Sequence, residues 1–200
     1  MNILHVSCSP RGEASESYRL SRKIIGFLLR RYPVATVVHR SLADGAIPPV
    51  DEAYAISQQA SEDVSQLGSA ARSEMLIEEL EKADVVVIAT PVHNFTVPST
   101  LKVWIDHVVR VRRTFDLSPR GKVGLLRDRP VFVAVSSGGR YSGERARQPD
   151  FLTPYLKAAL AIAGLHDLTF FSIEGTAFGA AAVDEGRVST DQALHEFFRG

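Results

Sequence analysis

Five apolar runs of strand length, each separated from the next by a helical pattern, constrain this chain more than any other feature. They are Ile3–Cys8, Val34–Arg40, Asp84–Thr90, Pro130–Ser136 and Leu168–Ile173. Strands that are apolar throughout, rather than at every second residue, are covered on both faces. Such strands run parallel and are joined by crossover helices. The first intervening helix is marked by Leu20, Ile24, Phe27 and Leu28 at i, i+4, i+7 and i+8. Leu76, Ile77 and Leu80 mark a second that ends before Asp84. Pro98 opens a third, with Leu101, Trp104, Ile105 and Val108 on one face. Thr153 reads as an N-cap before Pro154, leading to Leu156, Ala159, Leu160 and Ala163, with Gly164 as the stop. Ser189-Thr190-Asp191-Gln192 reads as a capping box before Leu194, Phe197 and Phe198. Leu42–Ser61, with Pro48-Pro49 and few apolar anchors, predicts a long irregular connection. The expectation is an α/β chain forming one domain over residues 1–200. It is doubly wound, a five-stranded parallel sheet in the order 2-1-3-4-5 with helices on both faces. Ligands in such a fold bind at the carboxyl ends of strands 1, 3 and 4, beside the switch point.

Three loops should therefore meet at one edge of the sheet. Ser9–Ser17 follows strand 1 and leads into a helix, whose unpaired N–H groups and dipole make a natural seat for a phosphate. Ser9, Ser15 and Ser17 stand ready to add donors. Neither G-x-G-x-x-G nor G-x-x-x-x-G-K-[ST] occurs, which points away from dinucleotides and nucleoside triphosphates and toward a mononucleotide. Pro91–Ser99 follows strand 3 and offers His93, Asn94 and Phe95 where a planar ring would lie. Ser137–Pro149 follows strand 4 and begins, after Ser136, with Ser137-Gly138-Gly139. Paired glycines there admit a ligand to the backbone N–H groups, or supply a positive-φ turn.

Composition narrows the partners. Lys+Arg and Asp+Glu are both 23, so the formal charge is zero and a nucleic-acid partner is not expected. Two local basic stretches, Arg110/Arg112/Arg113 and Arg140/Arg145/Arg147, read either as solvated charge or as contacts to an anion or a second subunit. Cys8 is the one cysteine, so a reducing, cytoplasmic setting is the simplest expectation. No signal-peptide pattern or membrane-length apolar run is read. Acidic residues are scattered, so no metal site is expected. His5, His39 and His107 read as structural. Cys8 ends strand 1 as the nucleophile of low-molecular-weight tyrosine phosphatases does, but position 14, where the phosphate-binding arginine is needed, is Ala14.

In order and spacing, Ser9 with Ser15-Glu16-Ser17, Pro91-Val92-His93-Asn94-Phe95, Ser136-Ser137-Gly138-Gly139 and Thr153-Pro154-Tyr155-Leu156 resemble the FMN-dependent NADH:quinone oxidoreductases of the azoreductase family. The resemblance extends to Gly175-Thr176-Ala177-Phe178-Gly179. It implies a flavodoxin-like fold with tightly bound FMN. Ser9, Ser15, Glu16 and Ser17 would hold the phosphate, and Val92–Phe95 with Ser136–Gly139 would surround the isoalloxazine. It further implies NADH as donor, a quinone or azo compound as acceptor, two-electron ping-pong transfer, no catalytic side chain, and a homodimer with FMN near its interface. His93 and the partner's copy of Phe115 would border the substrate. Two positions depart from the family pattern, His93 where tyrosine is frequent and Glu16 where glutamine is. A carboxylate beside a phosphate is unfavourable, so Glu16 is expected to offer its N–H and turn its side chain away. The alternatives are an electron carrier like flavodoxin, against which balanced charge and a single Trp argue, and an NADPH-dependent FMN or chromate reductase.

Overall fold

A computed structural model describes residues 1–43, 45, 47–58 and 68–199. Its strands are β1 (Asn2–Ser7), β2 (Thr36–Ser41), β3 (Val85–Pro91), β4 (Phe115–Ser118), β5 (Gly121–Gly124), β6 (Val131–Ser136) and β7 (Leu168–Ile173). Its helices are α1 (Glu16–Arg31), α2 (Glu52–Ser57), α3 (Ala70–Lys82), α4 (Ser99–Val108), α5 (Leu152–Ile162) and α6 (Ala180–Arg199). Five strands form a parallel sheet in the order β2-β1-β3-β6-β7, the expected topology once a separate hairpin, β4-β5, is set aside.

The inner strands β1, β3 and β6 are buried on both faces, β7 is half-buried and the edge strand β2 is largely exposed; successive residues divide between two cores. Ile3, Val85, Val87, Phe132, Ala134, Phe171 and Ile173 pack with Leu20, Ile24 and Leu28 of α1 and Leu194 of α6. Leu4, Val6, Val86, Ile88, Val131 and Val133 pack with Leu76 and Leu80 of α3, Leu101 and Trp104 of α4, and Leu156 and Leu160 of α5. The period of two along each strand thus appears as two layers rather than as a polar face. This double cover fixes the register, since a one-residue slip would exchange the cores.

Four expectations require correction. The last helix begins at Ala180, nine residues before the Ser189 capping box. Its Thr190 is interior, and the hydroxyl lies 2.7 Å from the carbonyl oxygens of both Gly186 and Ser172, tethering α6 to β7. At α5 the N-cap is Phe151 rather than Thr153; Asp150 Oδ1 accepts the Thr153 N–H at 2.9 Å. The stretch from Leu42 contains α2, capped by Asp51, which accepts the Tyr54 N–H at 2.8 Å; the remainder of that predicted connection falls partly outside the described residues. The hairpin was not predicted because each of its strands has four residues and no apolar run. A Cβ on its Gly124 would stand 2.3 Å from Gly164 N, so only glycine lets the hairpin meet the end of α5.

Both basic stretches are used in ion pairs. Arg110 and Arg113 share Glu74, and Arg113 also reaches Glu81. Arg140 and Arg145 share Glu185. No helix among the described residues is long and apolar enough to cross a membrane.

Candidate functional site

The loops after β1, β3 and β6 open onto one cleft of about 530 Å3, within the range of small-molecule sites. From the first loop Ser9, Pro10, Arg11, Ser15 and Glu16 line it. Pro91, Val92 and His93 come from the second loop, and Ser136 and Gly138 from the third. The predicted residues Ser17, Asn94, Phe95, Ser137 and Gly139 stand outside this lining.

The first loop is a cradle held by its own hydrogen bonds. Ser15 caps α1: its Oγ accepts the Tyr18 N–H at 3.2 Å and donates to Gly12 O at 2.9 Å. That hydroxyl is committed to the helix start and has no proton left for a ligand. Ser17 is fully buried, its Oγ 3.4 Å from that of Ser15. Ser9 differs. Its Oγ accepts the Arg11 N–H at 3.2 Å, and its proton has no acceptor among the described residues. The first-turn N–H groups of Glu16 and Ser17 are likewise unmatched among the described residues, as first-turn donors are. The cradle therefore offers one hydroxyl proton, two backbone N–H groups and the positive end of a 16-residue helix. A dianionic phosphate fits that donor set.

Glu16 turns its side chain to α6. Arg187 donates to it through Nε at 3.0 Å and Nη2 at 2.5 Å, and through Nη1 to Asp184 at 2.9 Å. The guanidinium beside it holds the Glu16 carboxyl below the usual range. Thr176, Ala180, Val183, Asp184 and Arg187 complete the cleft. Sequence reasoning missed this wall because it started the helix too late. From Ala180, residues 180, 183, 184 and 187 fall on one face at helical spacing.

The second loop is a tight turn. His93 N–H donates to Thr96 O at 2.9 Å, and Thr96 N–H returns to His93 O at 3.0 Å. Asn94 and Phe95 between them have φ of 48° and 70°, the positive pair of a type I′ turn. Asn tolerates this region, but a bulky aromatic there is strained. His93, Asn94 and Phe95 are exposed.

In the third loop the expectation of a positive-φ glycine turn is wrong. Neither Gly138 nor Gly139 has a positive φ. A Cβ on Gly138 would rest 3.5 Å from Ala177 Cβ, an ordinary contact, while one on Gly139 would strike the Gln148 side chain. The fold itself therefore tolerates a side chain at Gly138, which faces the cleft. Ser137 is committed to structure: its N–H donates to Ile173 O at 2.9 Å, its carbonyl accepts from Thr176 N at 3.0 Å, and its Oγ accepts from Gln148 Nε2 at 3.3 Å.

Phe115 lies away from the cleft, lining an apolar cavity of about 560 Å3 with Tyr54, Val109, Val111 and Tyr155. Cys8 is buried, its Sγ 3.0 Å from Ala89 O, and burial pushes its thiol up to about 12. A thiol so placed is a small hydrophobe. His5 and His39 pair across β1 and β2, Nδ1 to Nδ1 at 3.0 Å. The Ser21 proton is committed to Tyr18 O at 2.7 Å, so His5 Nε2, 2.8 Å from Ser21 Oγ, carries its own proton. His5 Nδ1 then accepts from His39. His107 is buried with Nε2 2.9 Å from Pro48 O.

The flavodoxin-like fold model matches residues 1–198. The chain is 48% identical over 194 residues to FMN-dependent NADH:quinone oxidoreductase 4 of Pseudomonas fluorescens, covering 96% of this chain and 91% of the relative. It is also 48% identical over 186 residues to FMN-dependent NADH:quinone oxidoreductase 5 of Burkholderia lata, covering 93% and 91%. Among solved structures, an azoreductase from Bacillus anthracis superimposes with a TM-score of 0.85 at 22% identity, over 99% of this chain and 98% of that one. With a sheet of this order, a cradle after β1 and relatives matched along nearly their whole length, the chain belongs to the FMN-dependent NADH:quinone oxidoreductase family of flavodoxin-like proteins.

Proposed function

We propose that this chain is an FMN-dependent NADH:quinone oxidoreductase that also accepts aromatic azo compounds. The observation that carries the reading is one cleft lined by two complementary elements. The free Ser9 hydroxyl and the α1 N-terminus belong to one, and the side-chain-free Gly138 to the other. Bound FMN would supply a two-electron relay between NADH and the acceptor.

The residues divide the remaining tasks. Ser9 and the N–H groups of Glu16 and Ser17 hold the phosphate, and Ser15 keeps α1 started at that point. Val92 and Ser136 border the ring system, and Gly138 lets it approach the backbone. The N–H groups of Gly138 and Gly139, without acceptors among the described residues, are donors for negative charge on the ring. His93, exposed on its turn, meets the donor and acceptor in succession. Water supplies the product protons, and no side chain is assigned as an acid or base. Asn94, Phe95 and Ser137 act through the shape of their loops.

The functional assembly is a homodimer in the cytoplasm. Val123 on the hairpin and Leu125 just after it are 50% and 51% exposed, apolar side chains of the kind that a second subunit covers. Phe115, on the same hairpin, would then approach the partner's substrate pocket.

Purified protein should show flavin bands at about 370 and 450 nm and turn over NADH with a quinone at steady state. A flavin-loaded protein that is reduced once and then stops would be a carrier instead. Turnover with NADPH alone would favour the FMN or chromate reductase alternative.

A further inference from the structure

The cradle contains a contradiction that its own neighbours resolve. Glu16 is the first residue of α1, and its N–H belongs to the phosphate seat. Its side chain lines the same cleft, so its negative charge faces any phosphate bound there. In partly shielded surroundings, unopposed like charges sharing one cleft would weaken binding by roughly tenfold to a hundredfold. Arg187 meets that carboxylate with both Nε and Nη2 and lines the same cleft. We propose that Arg187 is a phosphate-positioning residue: held by Glu16 and Asp184, its guanidinium cancels the Glu16 charge and presents its remaining N–H groups to the phosphate. The proposal rests on the reading of this cleft as an FMN site.

The proton inventory supports it. A guanidinium has five N–H groups. Glu16 takes two of Arg187's and Asp184 takes one. The other two, one on each Nη, have no acceptor among the described residues, and two is the number that a bidentate contact to phosphate oxygens uses. Charge points the same way. The cleft is lined by Arg11 and Arg187 against Glu16 and Asp184, so it is balanced with Arg187 and negative without it.

A purely mechanical role is the competing explanation, since the pair also joins α1 to α6. The helix has other attachments. Lys23 Nζ meets Asp191 at 2.5 Å, Thr190 bonds to β7, and Leu194 is fully buried in the core. Removing Arg187 should leave α6 in place.

The test compares FMN with riboflavin, which has no phosphate, by fluorescence titration of the flavin-free full chain, with thermal melting alongside. Arg187→Ala should weaken FMN roughly tenfold or more and leave riboflavin affinity and melting nearly unchanged. Glu16→Gln alone should bind FMN at least as tightly as the parent. Glu16→Gln with Arg187→Ala should recover the part of the loss that came from the uncancelled carboxylate and retain the part that came from the missing N–H contacts. Arg187→Lys, which keeps the charge without the fork, should fall between parent and Arg187→Ala. The proposal is overturned if both single variants weaken FMN and riboflavin alike and the double variant recovers nothing. If instead the parent does not distinguish the two flavins and Ser9→Ala leaves FMN affinity unchanged, the phosphate seat itself is misassigned and the functional reading falls with this one.

Discussion

The loop after β1 and the loop after β3 meet at the same cleft but are built on opposite principles. In the first, nearly every polar group is committed to another: Ser15 to both ends of the turn, Ser17 to Ser15, Glu16 to Arg187. What it offers a ligand is the small remainder, fixed in direction by a helix. The second is closed by the reciprocal His93–Thr96 bonds, tied to its neighbours by the Val92 N–H on Ser136 O and the Phe151 N–H on Phe95 O, and carries its side chains outward on a strained backbone. A satisfied scaffold with few free donors suits permanent retention of one ligand. A protruding turn suits the brief contacts of a donor and an acceptor that alternate. The difference assigns affinity to the cradle and selectivity to the turn, and each assignment is open to challenge by experiment.

The largest challenge acts beneath the cradle. Burial first, then the charges of His39 and Arg22, pushes His5 down to about 4. Above about pH 6.5 both folded and unfolded chains carry it neutral. Between there and pH 4 the unfolded chain binds a proton that the folded chain refuses, so stability falls as pH falls, by at most about 3 kcal/mol. Protonation would set an N–H at His5 Nδ1 against that of His39 and break the bond between the two rings, while the Nε2–H stays on Ser21. The melting temperature should therefore drop across this window, and His5→Asn should flatten the drop. A parent chain whose melting is level from pH 6.5 to 4 would show the pair to be unimportant.

Within the cradle the three serines should separate. Ser9→Ala removes the free hydroxyl and should weaken FMN by about 1.5–3 kcal/mol without changing riboflavin. Ser15→Ala removes the helix cap, at a cost of about 1 kcal/mol of stability, and affects FMN through that loss. Ser17→Ala should affect FMN less than Ser9→Ala. Equal effects on FMN from all three would mean that the hydroxyls act together as donors and that the division drawn here is wrong.

These distinctions show where the sequence was legible. The inner strands and the loops that follow them were readable because burial on both faces leaves unbroken apolar runs, as in Val85–Ala89, while the sheet order came from the general rule for doubly wound folds. Which serine donates and which caps was not readable, because Ser9, Ser15 and Ser17 differ only in where their protons are committed. The α6 wall was hidden for another reason: Ser189-Thr190-Asp191-Gln192 imitates a capping box in mid-helix, where the Thr190 hydroxyl in fact serves β7. The hairpin left no signal, since four-residue strands exposed on one side need no apolar run. Nor did the sequence indicate that Gly138 and Gly139 are ordinary in φ, because paired glycines suggest a turn wherever they occur.

On the turn, Phe95→Gly tests whether strain is maintained for function. A non-glycine residue at φ 70° carries roughly 1–3 kcal/mol of strain, against about 0.5–1 for the extra freedom glycine has when unfolded. The variant should gain about 0.5–1 kcal/mol in denaturant unfolding while its KM for quinone rises. If it loses stability instead, the exposed ring contributes packing that outweighs the strain, and the turn is a structural element like the cradle.

The smallest expected effect is at His93. Its N–H and carbonyl close the turn with Thr96, while its side chain is exposed and has no hydrogen-bond partner among the described residues. A replacement that preserves the backbone should therefore leave the turn intact, and with it FMN retention. His93→Tyr keeps an aromatic face at the cleft rim but replaces the imidazole nitrogens with a single phenol hydroxyl. Melting temperature and flavin content should match the parent, and the rate of hydride transfer from NADH should change little. The ranking of quinones should change, with the most polar acceptors losing most where the imidazole hydrogen-bonds to them. A comparison of kcat/KM for two quinones of different polarity separates the possibilities. Equal ratios in parent and variant would reduce His93 to a surface that stacks. Loss of FMN would be the more consequential outcome, because it would show that the turn also retains the cofactor and that affinity and selectivity are not divided between the two loops.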